Sequence, residues 1–204
     1  MIDLKPIETR VSEIEHGFTE IRNEASSIVK KSGVSQSLQA AKQLYSSEKY
    51  QARMVAVFVL GYVSARSAEA LRLLRTRVSK DESWRVQEIL AQAFNEHCKS
   101  VGYEEALPVI RDWLRDGSPN VRRAVTEGLR VWNQRDYFRE NPQVAIRLLS
   151  ELKDDESEYV RRSVGNALRD ISRNEKELVR GELATWDTSD PKVRLTHRLA
   201  SKFL

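Results

Sequence analysis

The amino-acid sequence predicts an all-α fold in which helical pairs stack into one right-handed solenoid. One pattern recurs along the chain, over residues 81–88, 116–132 and 155–171, with a weaker copy over 187–194. The copies lie about 35–40 residues apart, a period typical of stacked helical pairs. Helix-forming residues are abundant, whereas only five prolines and eight glycines interrupt the chain. Together these observations predict HEAT-like repeats with a concave binding face.

We expect one repeat domain over residues 1–204. Residues 1–33 are predicted to form an N-terminal capping helix, because apolar positions from Ile7 to Ile28 recur at helical spacing before Gly33. Residues 34–204 then hold about five helical pairs. A chain of 204 residues with 40% hydrophobic content is long enough to bury one continuous core.

The helices that follow are predicted from apolar spacing and from their start signals. Residues 50–64 are apolar on nearly every face, which indicates a helix inside the stack. Ser118–Pro119, Asn141–Pro142 and Asp190–Pro191 each join a capping residue to a proline at the first helical position. The predicted helices cover 36–46, 50–64, 67–79, 84–97, 104–115, 120–133, 142–153, 159–173, 175–186 and 191–203.

Composition narrows the functional classes. The formal net charge is +4, a mild preference for polyanionic partners. Cys98 is the only cysteine, which excludes an internal disulfide and is consistent with a reducing, cytoplasmic location. No apolar run reaches the roughly 18 residues of a membrane span, and the N-terminus lacks the order of a signal peptide. We therefore expect a cytoplasmic protein with no membrane partner.

Superposing the repeats separates core positions from a charged stripe. Ala52, Val86, Val121 and Val160 share one register and are predicted to be core. Two and six residues later, the same helices carry Met54, Glu88, Arg123 and Arg162, and Phe58, Gln92, Glu127 and Asn166. This stripe, continued by Arg169, is apolar in the first repeat and polar in the next three. It predicts a binding surface on the concave side.

Two carboxylates among arginines suit a cationic ligand held against an anionic backbone. The arginines would contact phosphates, while Glu88 and Glu127 would face the positive charge. Trp84 and Trp132, at the edges of the stripe, could stack on a base or sugar. The structural alternative stays open: arginine–glutamate pairs at this spacing also support helix surfaces, and tryptophans at helix ends are often core.

Other catalytic constellations have little support. His16, His97 and His197 are far apart, and the spacing offers no second ligand, so no metal site is expected. His97–Cys98 is interpreted as a helix terminus with a buried thiol. The sequence contains neither a glycine-rich phosphate loop nor a serine nucleophile elbow. No cofactor is expected.

Segments 83–88, 120–130 and 159–172 resemble the AlkC/AlkD family of HEAT-like-repeat DNA glycosylases, most closely its AlkC branch, and the likeness covers about residues 50–190. The resemblance depends on two motifs. One is the spacing of Trp84 and the acid Glu88, and the other is the Val-Arg-Arg at Val121 that is followed by Glu127-Gly. The resemblance implies excision of cationic N-alkylated bases, 3-methyladenine and possibly 7-methylguanine, from double-stranded DNA. It also implies that the lesion is removed without base flipping. Separately, we expect the protein to be a monomer.

The resemblance also implies site residues. Glu88 matches the acid that stabilises the developing sugar cation and positions water, and Glu127 matches a second acid of the AlkC branch. Arg123 matches a phosphate-clamping arginine, with Arg122 as the alternative. The full set of residues expected at DNA is Trp84, Arg85, Arg122, Arg123, Arg130, Trp132, Arg161, Arg162, Asn166 and Arg169.

The sequence departs from the family pattern in three places. The AlkD branch has an aspartate where Glu88 stands and a tryptophan where Asn166 stands. The AlkC branch has a longer segment where Leu129–Trp132 follows here. Two alternatives therefore stay open: a non-catalytic relative that binds particular DNA structures, and a HEAT-repeat scaffold that binds an acidic protein partner.

Overall fold

The computed structural model describes residues 3–130 and 132–204, and over these residues the chain forms helices joined by turns. Its contacts divide the chain into two compact units, Met1–Val101 and Gly102–Leu204. No helix of the described part is long and apolar enough to cross a membrane.

The first unit is built around one buried helix. Its helices are α1 (Lys5–Ser12), α2 (Thr19–Lys31), α3 (Val34–Tyr45), α4 (Tyr50–Val63), α5 (Ala68–Thr76) and α6 (Trp84–Val101). Helix α4 packs against the other five, as its uniformly apolar sequence predicts. Gly61 lets α4 approach α6 closely, since a Cβ there would lie 2.7 Å from the Cα of Ala93.

The second unit repeats this arrangement around α11. It comprises α7 (Leu107–Leu114), α8 (Pro119–Gly128), α9 (Asp136–Glu140), α10 (Pro142–Ser150), α11 (Glu158–Ser172), α12 (Lys176–Leu183) and α13 (Pro191–Ala200). Helix α11 packs against α8, α10, α12 and α13. Gly165 permits the close approach of α13, because a Cβ there would lie 2.6 Å from the Cβ of Leu199.

Two predicted helices are wrong in their extent. The N-terminal capping helix is two helices, α1 and α2, separated by a turn in which Gly17 has a φ of +80°. The predicted helix 120–133 ends at Gly128 in the structure, and Val131 lies outside the described residues. Trp132 instead packs edge-on against Phe138 of α9, a helix that the periodicity did not predict, with ring centroids 4.7 Å apart.

A set of hydrogen bonds that is repeated from one helix to another explains why the sequence pattern recurs. Arg53, Arg122, Arg161 and Arg194 each donate hydrogen bonds to the two carbonyl oxygens that lie six and five residues earlier, in the turn before their own helix. Gln87 makes the first of these two bonds in the α6 repeat. In these four copies, the arginine directly after the core residue (Ala52, Val121, Val160 or Val193) therefore closes the turn before its own helix.

The aspartate that begins each copy has a matching role. A side-chain oxygen of Asp81, Asp116, Asp155 and Asp187 accepts the backbone N–H two residues later, at 2.8 to 2.9 Å. Ser118 thus precedes α8 as predicted, but Asp116 rather than the Ser118 hydroxyl organises the turn. Turn geometry, and not a ligand, accounts for this part of the repeat.

Candidate functional site

A cavity of about 270 Å³ lies in the first unit, between the α1–α2 turn, α2, α4 and α6. Helix α6 contributes Trp84 and Glu88, which are four residues apart and so share one face. The walls are aromatic and apolar with two carboxylates. Its lining residues are Ile14, Glu15, His16, Gly17, Phe18, Ile21, Tyr50, Met54, Trp84, Arg85, Glu88 and Ile89.

Trp84 presents its indole ring to solvent. Its relative exposure is 64%, the highest among the large hydrophobic residues of the described chain. The Arg85 guanidinium carbon lies 4.7 Å from the Trp84 ring centroid and 5.2 Å from that of Tyr50. The aromatic wall already accommodates a planar cation, because the electron-rich ring faces attract positive charge.

Glu88 is exposed in the second turn of α6, and its side chain lines the cavity. A carboxylate beside aromatic faces forms an anionic edge to a site for a flat cation. The structure therefore brings Trp84, Arg85 and Glu88 together in the first unit. Tyr50 and Phe18 complete the wall, and the sequence comparison of repeats did not single them out because they lie outside the charged stripe.

In the second unit, Arg130 and Arg169 contact the carboxylate of Asp170, and Glu127 contacts Arg130. The Arg130 Nε lies 3.1 Å from one Asp170 carboxylate oxygen, and an Arg169 Nη lies 3.3 Å from the other. A Glu127 oxygen lies 3.7 Å from an Arg130 Nη. The carboxylate of Glu127 is thus held beside a guanidinium. Asp170, which was not predicted, orders both arginines.

Arg123 and Arg162 lie on neighbouring helices of the second unit. The Arg123 guanidinium carbon is 4.1 Å from the ring centroid of Tyr159, which is 52% exposed. Arg162 is exposed and forms an ion pair with Glu158 at 2.7 Å, one turn earlier on α11. Asn166 is half-buried on the same helix. Tyr159 is a further aromatic candidate, and its position immediately before Val160-Arg-Arg is the signal that could have identified it.

Three of the predicted DNA-contacting residues have packing or hydrogen-bond partners within the protein. Trp132 is 1% exposed and packs in the core, so its ring face is not available for stacking. Arg161 is buried and donates to the carbonyls of its own turn. Arg122 does the same and also forms a bidentate ion pair with Asp155. Adjacent helical residues point about 100° apart, so only one arginine of each pair faces outward.

His97 and Cys98 are neighbours near the end of α6, and both are buried. His97 is buried, its Nδ1 lies 3.0 Å from the Ser64 hydroxyl, and burial lowers the pKa of its imidazole. Cys98 is a buried thiol near the end of α6, as predicted. Among the residues that the structure describes, no group of three or more histidine, cysteine or acidic side chains is arranged to hold a metal ion.

The helical repeats and this cavity define the class of protein. Residues 17–204 match the family of DNA alkylation repair enzymes, and the chain belongs to that family. The predicted AlkC/AlkD relationship and the HEAT-like helical-repeat fold are confirmed.

Among solved structures, the chain is 48% identical to AlkD2 from Streptococcus mutans, with a TM-score of 0.96 over 98% of this chain and 97% of that one. It is 44% identical to smu.31 from Streptococcus mutans UA159, with a TM-score of 0.93 over 99% and 100% of the two chains.

The similarity to AlkC concerns the fold. The alkylpurine DNA glycosylase AlkC of Pseudomonas fluorescens is 22% identical, with a TM-score of 0.51 over 90% of this chain and 60% of that one. The chain is thus more similar to AlkD2 than to AlkC, whereas the sequence motifs had indicated the AlkC branch. A 92-residue segment is also 32% identical to the uncharacterized protein YhaZ of Bacillus subtilis strain 168, covering 43% of this chain but only 26% of that relative.

Proposed function

We propose that this protein is a DNA glycosylase that hydrolyses the N-glycosidic bond of cationic N-alkylated bases in duplex DNA. The expected substrates are 3-methyladenine and, second, 7-methylguanine. One observation carries the proposal: an exposed tryptophan and a carboxylate, Trp84 and Glu88, lie on one wall of a cavity that Tyr50 and Phe18 complete. Membership of the DNA alkylation repair enzyme family supports the same reaction class.

The chemistry requires little from the protein because the substrate base is already charged. When the C1′–N bond breaks, its electron pair neutralises the base, which leaves without protonation. Positive charge then develops on the sugar, and the Glu88 carboxylate stabilises it electrostatically. A water molecule forms the new C1′–O bond, and Glu88 accepts its proton before passing it to solvent.

We propose that the lesion is removed without base flipping. In the first unit, the aromatic wall and Glu88 face the lesion and its sugar. In the second unit, Arg123 and Arg162 are the proposed contacts to backbone phosphates. Glu127 is proposed as the second acid, with Arg130 holding its carboxylate in place. The solved structure of a neighbour of the same fold, AlkC, has it bound to DNA that contains an abasic-site analogue, which supports DNA as the partner.

The second candidate is non-catalytic recognition of a DNA structure. The burial of Trp132 favours it, because only Trp84, of the two tryptophans predicted to stack, is then exposed. A single stacking residue is enough for binding, since each aromatic–base contact contributes about 1–3 kcal/mol. Excision also requires that the lesion be held rigidly against the carboxylate.

The deciding experiment measures release of free base from methylated duplex DNA at matched DNA occupancy. Glu88→Gln is compared with wild type, with Glu127→Gln, and with Glu82→Gln as a control. Glu82 is exposed just before α6 and does not line the cavity. Glycosylase function predicts that Glu88→Gln retains DNA binding but loses about 100-fold or more in rate, while Glu82→Gln does not. Binding without base release by the wild type would instead support the second candidate.

A further inference from the structure

The N-terminal helical pair forms part of the cavity wall. Six residues of the α1–α2 turn and the start of α2 line it: Ile14, Glu15, His16, Gly17, Phe18 and Ile21. The buried side chain of Gln51 on α4 fixes this turn by donating to the carbonyl oxygens of Ser12 and Ile14, at 3.2 and 3.1 Å. A helix that only sealed the end of a repeat stack would not need to shape a cavity beside Glu88.

Arg22 on α2 stands next to this wall. Its guanidinium carbon lies 5.1 Å from the ring centroid of Phe18 and 5.2 Å from that of Phe58, and it donates a hydrogen bond to Gln92. Gln92 follows Glu88 by four residues on α6, so the two side chains share one face, a turn apart. The Arg22 cation is therefore held about one helical turn from the proposed catalytic carboxylate.

The partners of Arg22 orient its charge without neutralising it. The amide and two aromatic rings are uncharged, and within the described part of the chain Arg22 has no carboxylate partner. Arg10 on α1 differs, because the two carboxylate oxygens of Glu24 accept its hydrogen bonds at 2.9 and 3.0 Å. Arg22 is exposed and pre-oriented, so binding an anion would cost it little additional conformational entropy.

We propose that Arg22 binds a backbone phosphate of the duplex beside the base at the Glu88 cavity, which makes α1 and α2 one flank of the DNA site. A guanidinium suits this role because its planar donors match phosphate oxygens and it is weakly hydrated. The proposal rests on the DNA binding of the proposed function but not on catalysis.

The test measures the affinity for a short labelled duplex that carries one abasic-site analogue, between about 50 and 200 mM salt. Arg22→Gln is compared with Arg10→Gln, which changes the net charge equally within the same helical pair. Losing one phosphate contact should weaken binding about 5- to 10-fold and make the slope of log affinity against log salt shallower by about 0.9. Arg22→Lys, which keeps the charge, should retain the wild-type slope.

The outcomes separate this proposal from the glycosylase proposal. A wild-type affinity and slope in Arg22→Gln, or equal losses in Arg22→Gln and Arg10→Gln, would overturn the role of Arg22 and leave the Glu88 chemistry intact. Wild-type protein that binds this duplex but releases no base from methylated duplex DNA would overturn the glycosylase proposal, while the salt titrations still decide the role of Arg22. Wild-type protein that does not bind the duplex would overturn both.

Discussion

The guanidinium of Arg122 and the carboxylate of Asp155 form a bidentate ion pair, with N–O distances of 2.6 and 2.8 Å, that connects one repeat to the next. The first unit contains its counterpart in Arg53 and Asp81, at 2.9 and 3.1 Å. In each pair the arginine also closes the turn before its own helix. The recurring sequence pattern thus includes a repeat-to-repeat connection as well as a candidate DNA-binding position.

Arg122→Gln should destabilise the fold rather than weaken DNA contacts directly. The substitution leaves the nearly buried Asp155 carboxylate without its main partner, at a cost of about 2–4 kcal/mol. Arg162→Gln removes an exposed ion pair with Glu158, one turn earlier on the same helix. It should change the free energy of unfolding by less than about 0.5 kcal/mol. Urea unfolding monitored by circular dichroism measures both. An Arg122→Gln protein of wild-type stability with weakened DNA binding would restore the phosphate role first predicted for it.

Replacing Trp132 should lower the stability of the fold, whereas replacing Trp84 should weaken DNA binding. Trp132→Ala removes a buried ring that packs on Phe138 and should cost about 3–5 kcal/mol. Trp84→Ala removes an exposed ring, so unfolding should change little while affinity for duplex DNA falls about 10-fold. Unfolding curves and DNA titrations of both variants test this. Equal affinity of Trp84→Ala and wild type would exclude stacking at the cavity.

Gly61→Ala should strain the contact between α4 and α6. The new Cβ would lie 2.7 Å from the Cα of Ala93, a backbone atom that cannot yield cheaply, so a loss of about 1–3 kcal/mol is expected. Gly181→Ala is the control, because no atom lies within 4 Å of its added Cβ and alanine favours helix α12. It should stabilise the protein by about 0.5–1 kcal/mol. The midpoint temperatures of thermal unfolding should shift in opposite directions, downward for Gly61→Ala and upward for Gly181→Ala.

Stability should depend on the titration of His97. Burial lowers the pKa of its imidazole from the ordinary value of 6.5. Below about pH 6.5 the imidazole is protonated in the unfolded chain but stays neutral in the folded chain. The stabilisation present above about pH 6.5 therefore declines as pH falls and is lost below the folded pKa. The free energy of unfolding, measured between about pH 7.5 and 5, should fall less steeply in His97→Asn. Parallel pH profiles would show that another group is responsible.

The sequence by itself determined the helical class, the repeat period and the pairing of Trp84 with Glu88. These follow from local rules: apolar spacing sets a helix face, capping residues with proline set α8, α10 and α13, and residues four apart share a face. The family relationship was readable for the same reason, because its motifs occupy short segments within single helices.

Only the tertiary structure decided which side chains are available to a ligand. Arg122 and Arg123 are adjacent residues of the same type. Packing against the next repeat turns Arg122 inward to Asp155, whereas Arg123 lies against the ring of Tyr159. The same holds for Trp132, which Phe138 covers from a helix with too short a sequence pattern to detect. The cavity wall from α1 and α2 belongs to this class too. There, Arg22 of α2 donates a hydrogen bond to Gln92 of α6, which lies 70 positions later in the chain. A contact over that separation leaves no periodic pattern in the sequence.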